Sequence, residues 1–309
     1  MLRLKKLSEV IGQSKAVENI RMSIEMAKAR NKRLGNVLLY GPRGIGKETL
    51  AYVIASELDV GIRVFYGGNE TMKVGDFAAV LMNVSDNDII FIDDIHMLND
   101  DMQEILYQAL EYHTLDVYMG KKITKINLAP FILIGGTTNI KMMPKILINK
   151  FENINKLNIY SRNELKMIIE RFAMILEVVL DEAATEEIAK CSHGSPHISY
   201  QLLNQVLDSI KKQKIRQISK RLVINALDSS DVDIFGLHEV DRLVINTIIG
   251  IFEGGPVWAD MIEVALGEKL VDFNRINASF LQYLGFINRT ERGYVATRRA
   301  YDYCSISKA

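Results

Sequence analysis

The sequence predicts an α/β protein with a parallel sheet, followed by an all-helical domain and a carboxy-terminal winged helix. Three observations carry this prediction. Short β-rich runs alternate with helical runs up to about residue 135, a glycine-rich loop at 41–47 joins one such run to a helix, and the last helices lead into a short β-ribbon with a charged tip. Alternation is typical of parallel sheets, and helices followed by a ribbon are typical of winged helices.

Four apolar runs are the predicted strands of the sheet. They are continuous and not alternating, which is the pattern of strands that are covered on both faces. The runs span residues 36–40, 62–66, 89–92 and 131–135. A helix is predicted before them, because apolar side chains recur at helical spacing at Val17, Ile20, Ile24 and Ala27.

A hairpin is predicted before the last of these strands. Two β-rich runs, 115–118 and 123–128, flank a turn at 119–122 that contains a glycine. From Ser161 the pattern becomes helical, because Ser161 and Glu164 have capping-box spacing and apolar residues follow at helical intervals.

The chain is predicted to contain three domains. Helices are predicted up to about residue 227, and the polar, turn-prone segment 228–233 is the predicted linker. After it come a helix at 240–252 and a Gly-Gly-Pro turn at 254–256. The later runs 285–289 and 293–297 are the predicted ribbon, and together these elements predict the winged helix. The predicted domains span residues 1–160, 161–229 and 230–309.

The composition is that of an ordinary globular protein, with 309 residues, 48% apolar content, 25% charged residues and no net charge. No apolar segment approaches the roughly 18 residues that span a bilayer, and the start lacks a secretory apolar core, so a cytoplasmic location is predicted. Because the net charge is zero, affinity for nucleic acid has to come from local basic runs such as 1–33 and 204–222, whose alternative role is a solvated face. Cys191 and Cys304 are too isolated for a disulfide framework or a zinc site, and free thiols are expected.

The loop at 41–47 reads Gly-Pro-Arg-Gly-Ile-Gly-Lys and lies between an apolar run and a helix-forming stretch that starts at Glu48. Glycines in this setting let backbone N–H groups surround a polyphosphate, the helix directs its positive end at it, and Lys47 adds a charge near the terminal phosphates. A second motif is the β-branched run that ends in Asp93 and Asp94, as a Walker B strand does for magnesium and an attacking water. Together they predict binding of ATP or ADP with Mg²⁺.

Further strings, in this order, resemble the RuvB family of bacterial Holliday-junction branch-migration motors, which belongs to the AAA+ ATPases. The resemblance covers nearly the whole chain. Its strings here are Ile11-Gly-Gln13, Val37-Leu-Leu-Tyr-Gly-Pro42, Phe91-Ile-Asp-Asp-Ile-His96, Leu133-Ile-Gly-Gly-Thr-Thr138, Gly236-Leu237, Asp241-Arg242, Gly254-Gly-Pro256, Ala265-Leu-Gly-Glu268, Gly285-Phe286 and Arg289-Thr290. It implies a AAA+ ATPase domain, a helical lid domain and a winged-helix domain. It also implies a ring, usually hexameric, that pulls duplex DNA through a four-way junction held by the partner RuvA.

The resemblance also assigns expected roles to residues. The expected catalytic residues are Lys47, Asp93, Asp94, Thr138 and Lys150. The residues expected to contact nucleotide are Ile11, Gly41, Gly44, Ile45, Gly46, Lys47, Glu48, Thr49 and His197, with Glu48 and Asp93 as the expected Mg²⁺ ligands. The residues expected to contact DNA phosphates are Arg289, Arg292, Arg298 and Arg299 in the wing.

Two departures from the family pattern fall on the metal and the water. The family usually has Thr after the P-loop lysine, where this chain has Glu48; Thr49 is turned by about 100° around the helix and does not simply replace it. The family's water-orienting Glu after the Walker B Asp is here Asp94, whose carboxylate is shorter by one carbon–carbon bond.

Further departures remove arginines. Where the family has Leu-Arg-Asp-Arg-Phe, which supplies a finger to the neighbouring subunit, this chain has Ile148 and Lys150, and a lysine offers a point charge without the planar fork. His197 stands where a lid arginine is expected and is mostly neutral near pH 7. Loss of an arginine finger lowers turnover by about 10³ to 10⁵. Reduced ATP turnover is therefore expected.

Other motif residues have structural alternatives. Thr137 and Thr138 are expected to reach the γ-phosphate or water, with a strand-end turn as the alternative. His96 is expected to orient the Walker B loop and not to bind a metal, because no second His or Cys lies at ligand spacing. Tyr294 either stacks on DNA or packs within the ribbon. The hairpin, which binds RuvA in the family, is about four residues shorter here, so contact with a RuvA-like partner is in question.

Three functions compete. The leading one is an ATP-driven DNA motor with reduced turnover. The second is a nucleotide-binding but hydrolysis-deficient protein that binds DNA or scaffolds a ring, as the altered catalytic positions also suggest. The third is a AAA+ protein remodeller, suggested by Phe65-Tyr66-Gly67, an aromatic pair that would line a pore or else end a buried strand.

Overall fold

A computed structural model describes residues 4–68, 71–119, 122–210, 217–228, 233, 235, 237–267 and 277–306. Gly236, Glu268, most of the predicted 228–233 linker and the tip of the predicted hairpin at 120–121 lie outside the described residues. The chain divides into two compact units. The first comprises Met1–Gly41 and Gly46–Asn158, and the second comprises Pro42–Ile45 and Ile159–Ala309. No helix in the described parts of the chain is long and apolar enough to cross a membrane.

The first unit contains a five-stranded parallel sheet. Its strands are β1 Val37–Tyr40, β2 Ile62–Tyr66, β3 Ile89–Asp93, β6 Ile132–Thr137 and β7 Asn153–Lys156, in the order β2-β3-β6-β1-β7. Its helices are α1 Ser14–Ala29, α2 Lys47–Leu58, α3 Val74–Met82, α4 Asp100–Tyr112 and the single turn α5 Lys145–Ile148, with 3₁₀ turns at Leu7–Glu9, Ile95–Met97 and Ile140–Met142.

The α/β prediction is confirmed, and the four predicted strands lie within one or two residues of the observed ones. The central strands β1, β3 and β6 are almost fully buried, as their continuous apolar runs indicate. Because all five strands are parallel, their carboxyl ends meet at one edge of the sheet. Tyr40, Asp93 and Thr137 therefore end their strands at that edge, where the motif residues follow.

The predicted hairpin is present as a two-stranded antiparallel sheet, β4 Thr114–Met119 and β5 Lys122–Asn127. It is separate from the five-stranded sheet. Its base is anchored in the core of the first unit by the buried side chains of Leu115 and Leu128.

The second unit begins with helices. They are α6 Arg162–Ile175, α7 Glu182–Cys191, α8 Pro196–Ile210 and α9 Lys220–Asp228, with a short parallel pair between β8 Val179–Leu180 and β9 Gln217–Ile218. The predicted capping box is present, because the Ser161 hydroxyl accepts from the Glu164 backbone and a Glu164 carboxylate oxygen accepts from the Ser161 backbone.

The last part of the second unit is a winged helix. Its elements are α10 Glu239–Gly250, α11 Ala259–Leu266, α12 Asn277–Tyr283, β10 Ile287–Thr290, β11 Gly293–Ala296 and α13 Arg298–Ile306. The two strands pair as the predicted antiparallel ribbon. A core that includes Ile245, Phe280 and Phe286 holds the helices and the ribbon together.

Candidate nucleotide site and nucleic-acid interface

The glycine-rich loop runs from the end of β1 to the start of α2, as its sequence predicts. Gly44 and Gly46 have φ of 71° and 96°, a left-handed conformation that residues with a Cβ rarely adopt. Gly41 is joined to the end of β6, because its backbone N–H donates to the carbonyl of Thr137 at 3.0 Å. The loop thus has the glycine-dependent backbone of a phosphate cradle ahead of a helix amino terminus.

Lys47 is the first residue of α2 and is 5% exposed. Its ammonium group donates to the carbonyl of Gly41 at 3.2 Å, back across the loop. A lysine held in this way places a positive charge inside the loop, where a terminal phosphate is expected to bind.

Asp93 ends β3, and its carboxylate Oδ1 accepts from the backbone N–H of Asp94 at 3.0 Å. The same oxygen lies against Gly136 on β6, where an added Cβ would be only 2.5 Å from it. Asp94 has a left-handed backbone with φ of 47°. The sequence did not identify Gly136 as a site residue, although its lack of a side chain is what leaves room for the Asp93 carboxylate.

Glu48 lies in the first turn of α2, and its pKa is raised by burial and, to a lesser extent, by the negative charge of Asp93. Two carboxylates that repel one another beside a phosphate loop fit a divalent cation, since oxygen ligands are those that Mg²⁺ prefers. These two carboxylates are the candidate protein ligands, and the described residues contain no group of three or more His, Cys, Asp and Glu side chains that could hold a metal ion. Thr49 is half-buried beside Glu48.

The two threonines at the end of β6 have different contacts. Thr137 is fully buried, and its hydroxyl lies 3.0 Å from Nδ1 of His96. Thr138 is the one that faces a carboxylate, because its hydroxyl donates to Asp94 Oδ1 at 3.5 Å. His96 therefore packs against the end of the neighbouring strand, and the sequence did not identify this contact.

Tyr66 ends β2 as the strand neighbour of Asp93 and is half-exposed. Its pKa is raised, first by burial and then by the charges of Glu48 and Asp93, so its phenol lies near those carboxylates. Phe65 points into the core, where its ring meets that of Phe77 edge-on. Phe65 therefore faces the core and Tyr66 faces the carboxylates. This favours a role at the end of the strand over a role in lining a pore.

The residues in place of the arginine finger are engaged within their own chain. Lys150 forms an ion pair with Glu111, and its ammonium lies 4.9 Å from the centre of the Tyr107 ring. Ile148 packs, partly buried, against the core of the first unit. An apolar side chain in that position supplies no charge to a neighbouring molecule.

Ile11 is half-buried, next to a segment that is fixed to the end of the first unit. Gln13, with φ of 51°, donates from its amide nitrogen to the carbonyl of Asn158 and accepts from the backbone N–H of Asn158. These two hydrogen bonds hold the segment 11–13 in place. They explain the glutamine at its end, because an amide side chain can both donate and accept.

Within the second unit, the start of α8 contacts the loop tip. The backbone N–H of His197 and the hydroxyl of Ser195 both donate to the carbonyl of Gly44, at 3.2 Å and 3.1 Å. His197 is the residue that the sequence predicts to contact nucleotide. The contact made by Ser195 was not predicted.

The wing arginines are all exposed. Arg289 lies over the ring of Tyr294 at 5.9 Å, and Arg299 lies over Phe286 at 4.9 Å while donating to the carbonyl of Leu284. Tyr294 itself is 6% exposed, so it packs within the domain and has no face to offer to a base. Arg292, in the ribbon turn, and Arg298, at the start of α13, are exposed cations of the kind that bind phosphates.

Comparisons with known proteins give one result for all parts of the chain. Three family models match: the Holliday junction DNA helicase RuvB P-loop domain at residues 2–157, the RuvB AAA lid domain at 160–233 and the RuvB C-terminal winged helix domain at 234–305. The chain is 41% identical over 306 residues to the Holliday junction branch migration complex subunit RuvB of Fusobacterium nucleatum, covering 98% of this chain and 92% of that protein. The same subunit of Thermotoga petrophila is 39% identical, with coverages of 98% and 91%.

Solved structures agree with these relatives. A Thermotoga maritima RuvB variant superposes with a TM-score of 0.87 and 37% identity, covering 98% of this chain and 99% of that one. A structure described as the Thermotoga maritima RuvB Holliday junction branch migration motor has a TM-score of 0.85 and 37% identity, with 98% of each chain covered.

Proposed function

Because the chain belongs to the RuvB family of Holliday junction DNA helicases, we propose that it is an ATP-driven motor subunit that moves the branch point of four-way DNA junctions in recombination and repair. The observation that carries the proposal is the meeting of the phosphate loop, Asp93 and Thr138 at one edge of the parallel sheet, within a chain that matches RuvB from end to end. The hydrolysis-deficient scaffold is not favoured by the relatives, which are named as branch migration subunits.

The chain's own residues suggest how ATP is held. The backbone N–H groups of the loop and the ammonium of Lys47 bind the phosphates, and Ile11 contacts the nucleotide, as the family resemblance implies. Glu48 and Asp93 would hold Mg²⁺, which when bound neutralises charge on the phosphates. Asp94, with the hydroxyl of Thr138 beside it, orients the attacking water.

The assembly is also a proposal. We infer a ring of about six copies on duplex DNA, by the family resemblance, in which Lys150 of one copy faces the nucleotide of the next. Arg289, Arg292, Arg298 and Arg299 bind phosphates without reading bases. A RuvA-like protein that binds the junction would dock on the β4–β5 hairpin. We also infer a cytoplasmic location, because the relatives are named as subunits that act on DNA junctions.

ATP turnover is expected to be slow, because four side chains depart from the residues that the family has at the same positions. Glu48 adds a negative charge beside Asp93, Asp94 is short, and Ile148 replaces a cation. His197 contributes its backbone to Gly44 and lacks the permanent charge of an arginine.

Phosphate release by the purified protein tests the proposal. It is measured while four-way-junction DNA is titrated, with and without a RuvA protein, and compared with the Lys47→Ala variant. Turnover above that of the variant and stimulated by the junction is expected. Turnover equal to that of Lys47→Ala would reject the motor, and stimulation by unfolded protein but not by DNA would favour a remodeller. Absence of saturable binding of labelled ATP with Mg²⁺ would reject every nucleotide-dependent function.

A further inference from the structure

A buried turn in the second unit contacts both the phosphate loop and the winged helix. This α7–α8 turn comprises residues 192–195, between the end of α7 and the start of α8. Ser192, His193 and Ser195 are polar, yet each is 4% exposed or less. Buried polar side chains are costly unless they form hydrogen bonds, so their partners define what the turn does.

Ser195 holds the tip of the phosphate loop. Its hydroxyl donates to the carbonyl of Gly44 at 3.1 Å and accepts from the backbone N–H of Ile198 in α8. The fit is close, because a Cβ at Gly44 would lie 2.5 Å from Ser195 Oγ and 2.8 Å from His197 Cβ. Pro42–Ile45 belong to the second compact unit and not to the unit that contains the sheet.

The bond to Gly44 determines the direction of a neighbouring donor. The peptide between Gly44 and Ile45 is trans, so its C=O and N–H point in opposite directions. With the carbonyl fixed on Ser195 and on the N–H of His197, the N–H of Ile45 is directed away from the turn. Ser195 thus prearranges one donor of the phosphate loop.

The other end of the turn is joined to the winged helix. His193 Nε2 lies 3.1 Å from Asp241 Oδ2 in the first turn of α10, and Asp241 is fully buried. The His193 ring is stacked on Phe280 of α12, with centroids 4.0 Å apart and planes at 17°, and meets His238 edge-on. A shift of His193 would disturb the contact with Asp241 and two ring contacts together.

We propose that the α7–α8 turn couples the nucleotide state of the phosphate loop to the DNA-binding winged helix, with Ser195 and His193 as positioning residues. The two side chains are two residues apart in a closely packed segment, so a displacement of the Gly44 carbonyl is passed to Asp241 and α10. The idea rests on the proposed function, because it requires that the chain bind both nucleotide and DNA. Its new content is the route between them.

The test is a ratio of affinities measured on the full-length chain. The Kd for fluorescent four-way-junction DNA is determined without nucleotide and with saturating ATPγS, and the ratio of the two Kd values is the coupling factor. Coupled sites typically give on the order of 5-fold or more. Ser195→Ala removes the donor to Gly44, and His193→Leu removes the donor to Asp241. Each is expected to bring the factor close to 1.

Conservative variants and a matched control separate coupling from damage. Ser195→Thr keeps a hydroxyl and His193→Gln keeps a donor, so both should retain most of the coupling factor. Ser209→Ala removes a hydroxyl that donates only within α8, to Val206 at 2.6 Å, and should leave the factor unchanged. Hydrogen exchange at the Ile45 amide should become faster in Ser195→Ala and not in Ser209→Ala.

The outcomes distinguish this inference from the proposed function. A wild-type protein that binds no nucleotide or no DNA would contradict the proposed function. If the wild-type protein binds both with a coupling factor of 1, the coupling is overturned and the proposed function stays intact. The same holds if Ser195→Ala and His193→Leu keep the wild-type coupling factor. Loss of folding in His193→Leu would leave the decision to Ser195→Ala and its threonine counterpart.

Discussion

The ammonium group of Lys150 is paired with the carboxylate of Glu111 in the same chain. If Lys150 serves the nucleotide of a neighbouring copy, it has to leave this pair, which is partly exposed and worth about 1 kcal/mol or less. Glu111→Gln should therefore raise junction-stimulated turnover by up to about fivefold. Lys150→Ala should lower it and leave the Kd for ATP unchanged. Equal turnover in wild type and Lys150→Ala would remove Lys150 from the catalytic residues.

Gly136 gives the Asp93 carboxylate its space, since a Cβ there would lie 2.5 Å from Asp93 Oδ1. Gly136→Ala should displace that carboxylate and lower turnover at least about tenfold, or 1.4 kcal/mol in the barrier. The matched control is Gly135→Ala, whose Cβ would have the side-chain ends of Leu38 and Phe151 as its nearest neighbours, at 3.0 Å. That variant should lose about 1 to 3 kcal/mol of stability through overpacking and keep turnover per folded molecule. Normal turnover in Gly136→Ala, or reduced turnover per folded molecule in Gly135→Ala, would contradict this account of Asp93.

Two side chains are expected to limit turnover. Glu48→Thr removes the charge that Asp93 repels and supplies the hydroxyl found in the family, so it should raise turnover and lower the Mg²⁺ concentration needed for half-maximal rate. Glu48→Gln removes the charge alone and separates the two effects. His197→Arg supplies a permanent cation and should raise turnover independently, by about tenfold for 1.4 kcal/mol. No change in either Glu48→Thr or His197→Arg would show that the slow step lies elsewhere.

The stability of the second unit should fall in mild acid. Burial, followed by the nearby His193, lowers the pKa of His238; Asp241 and the Cys191 backbone oppose this in part, and Arg242 adds a small further lowering. The unfolded chain therefore binds more protons below pH of about 6.5, and the free energy of unfolding decreases there until the pH passes the lowered folded pKa. Urea unfolding at pH 7.5, 6.5 and 5.5 measures this. His238→Asn should flatten the slope and His113→Asn should not; equal slopes in both would refute it.

Cys191 should be chemically inert in the folded protein. Burial raises its pKa to about 12, so at pH 8 only about 1 in 10⁴ of these thiols is the reactive thiolate. Iodoacetamide followed by peptide mass spectrometry should find Cys191 unmodified in the native protein and modified in urea. Rapid labelling of native Cys191 would mean that α7 opens far more often than its burial indicates. Neither Cys191 nor Cys304 forms a disulfide, as the sequence predicts, and both are buried.

The sequence predicts the fold well wherever burial produces a continuous apolar run or apolar residues at a regular spacing. It places β2 at its observed bounds and the capping box at the start of α6. It misses β7, because that strand reads Asn-Ile-Asn-Lys and resembles a loop. Its buried residue is Asn155, which is satisfied by side-chain hydrogen bonds with Asn153 and Asn19 and not by apolar packing.

The candidate site divides in the same way. Local motifs identify the loop, Asp93 and Asp94, because their spacing is fixed by one strand and one turn. The contacts of Thr137 with His96 and of Ser195 with Gly44 join residues 41 and 151 positions apart, and no local period encodes them. The engagement of Lys150 by Glu111, 39 positions away, is hidden for the same reason.

The β4–β5 hairpin stands apart from the five-stranded sheet and is rooted in the core by Leu115 and Leu128 at its base. Residues can be gained or lost at its far end without moving any strand that carries a carboxylate or a threonine of the site. A change in the length of this hairpin is therefore separable from a change in the residues at the sheet edge. The shorter hairpin that the family resemblance implies would therefore leave the position of the sheet edge unchanged.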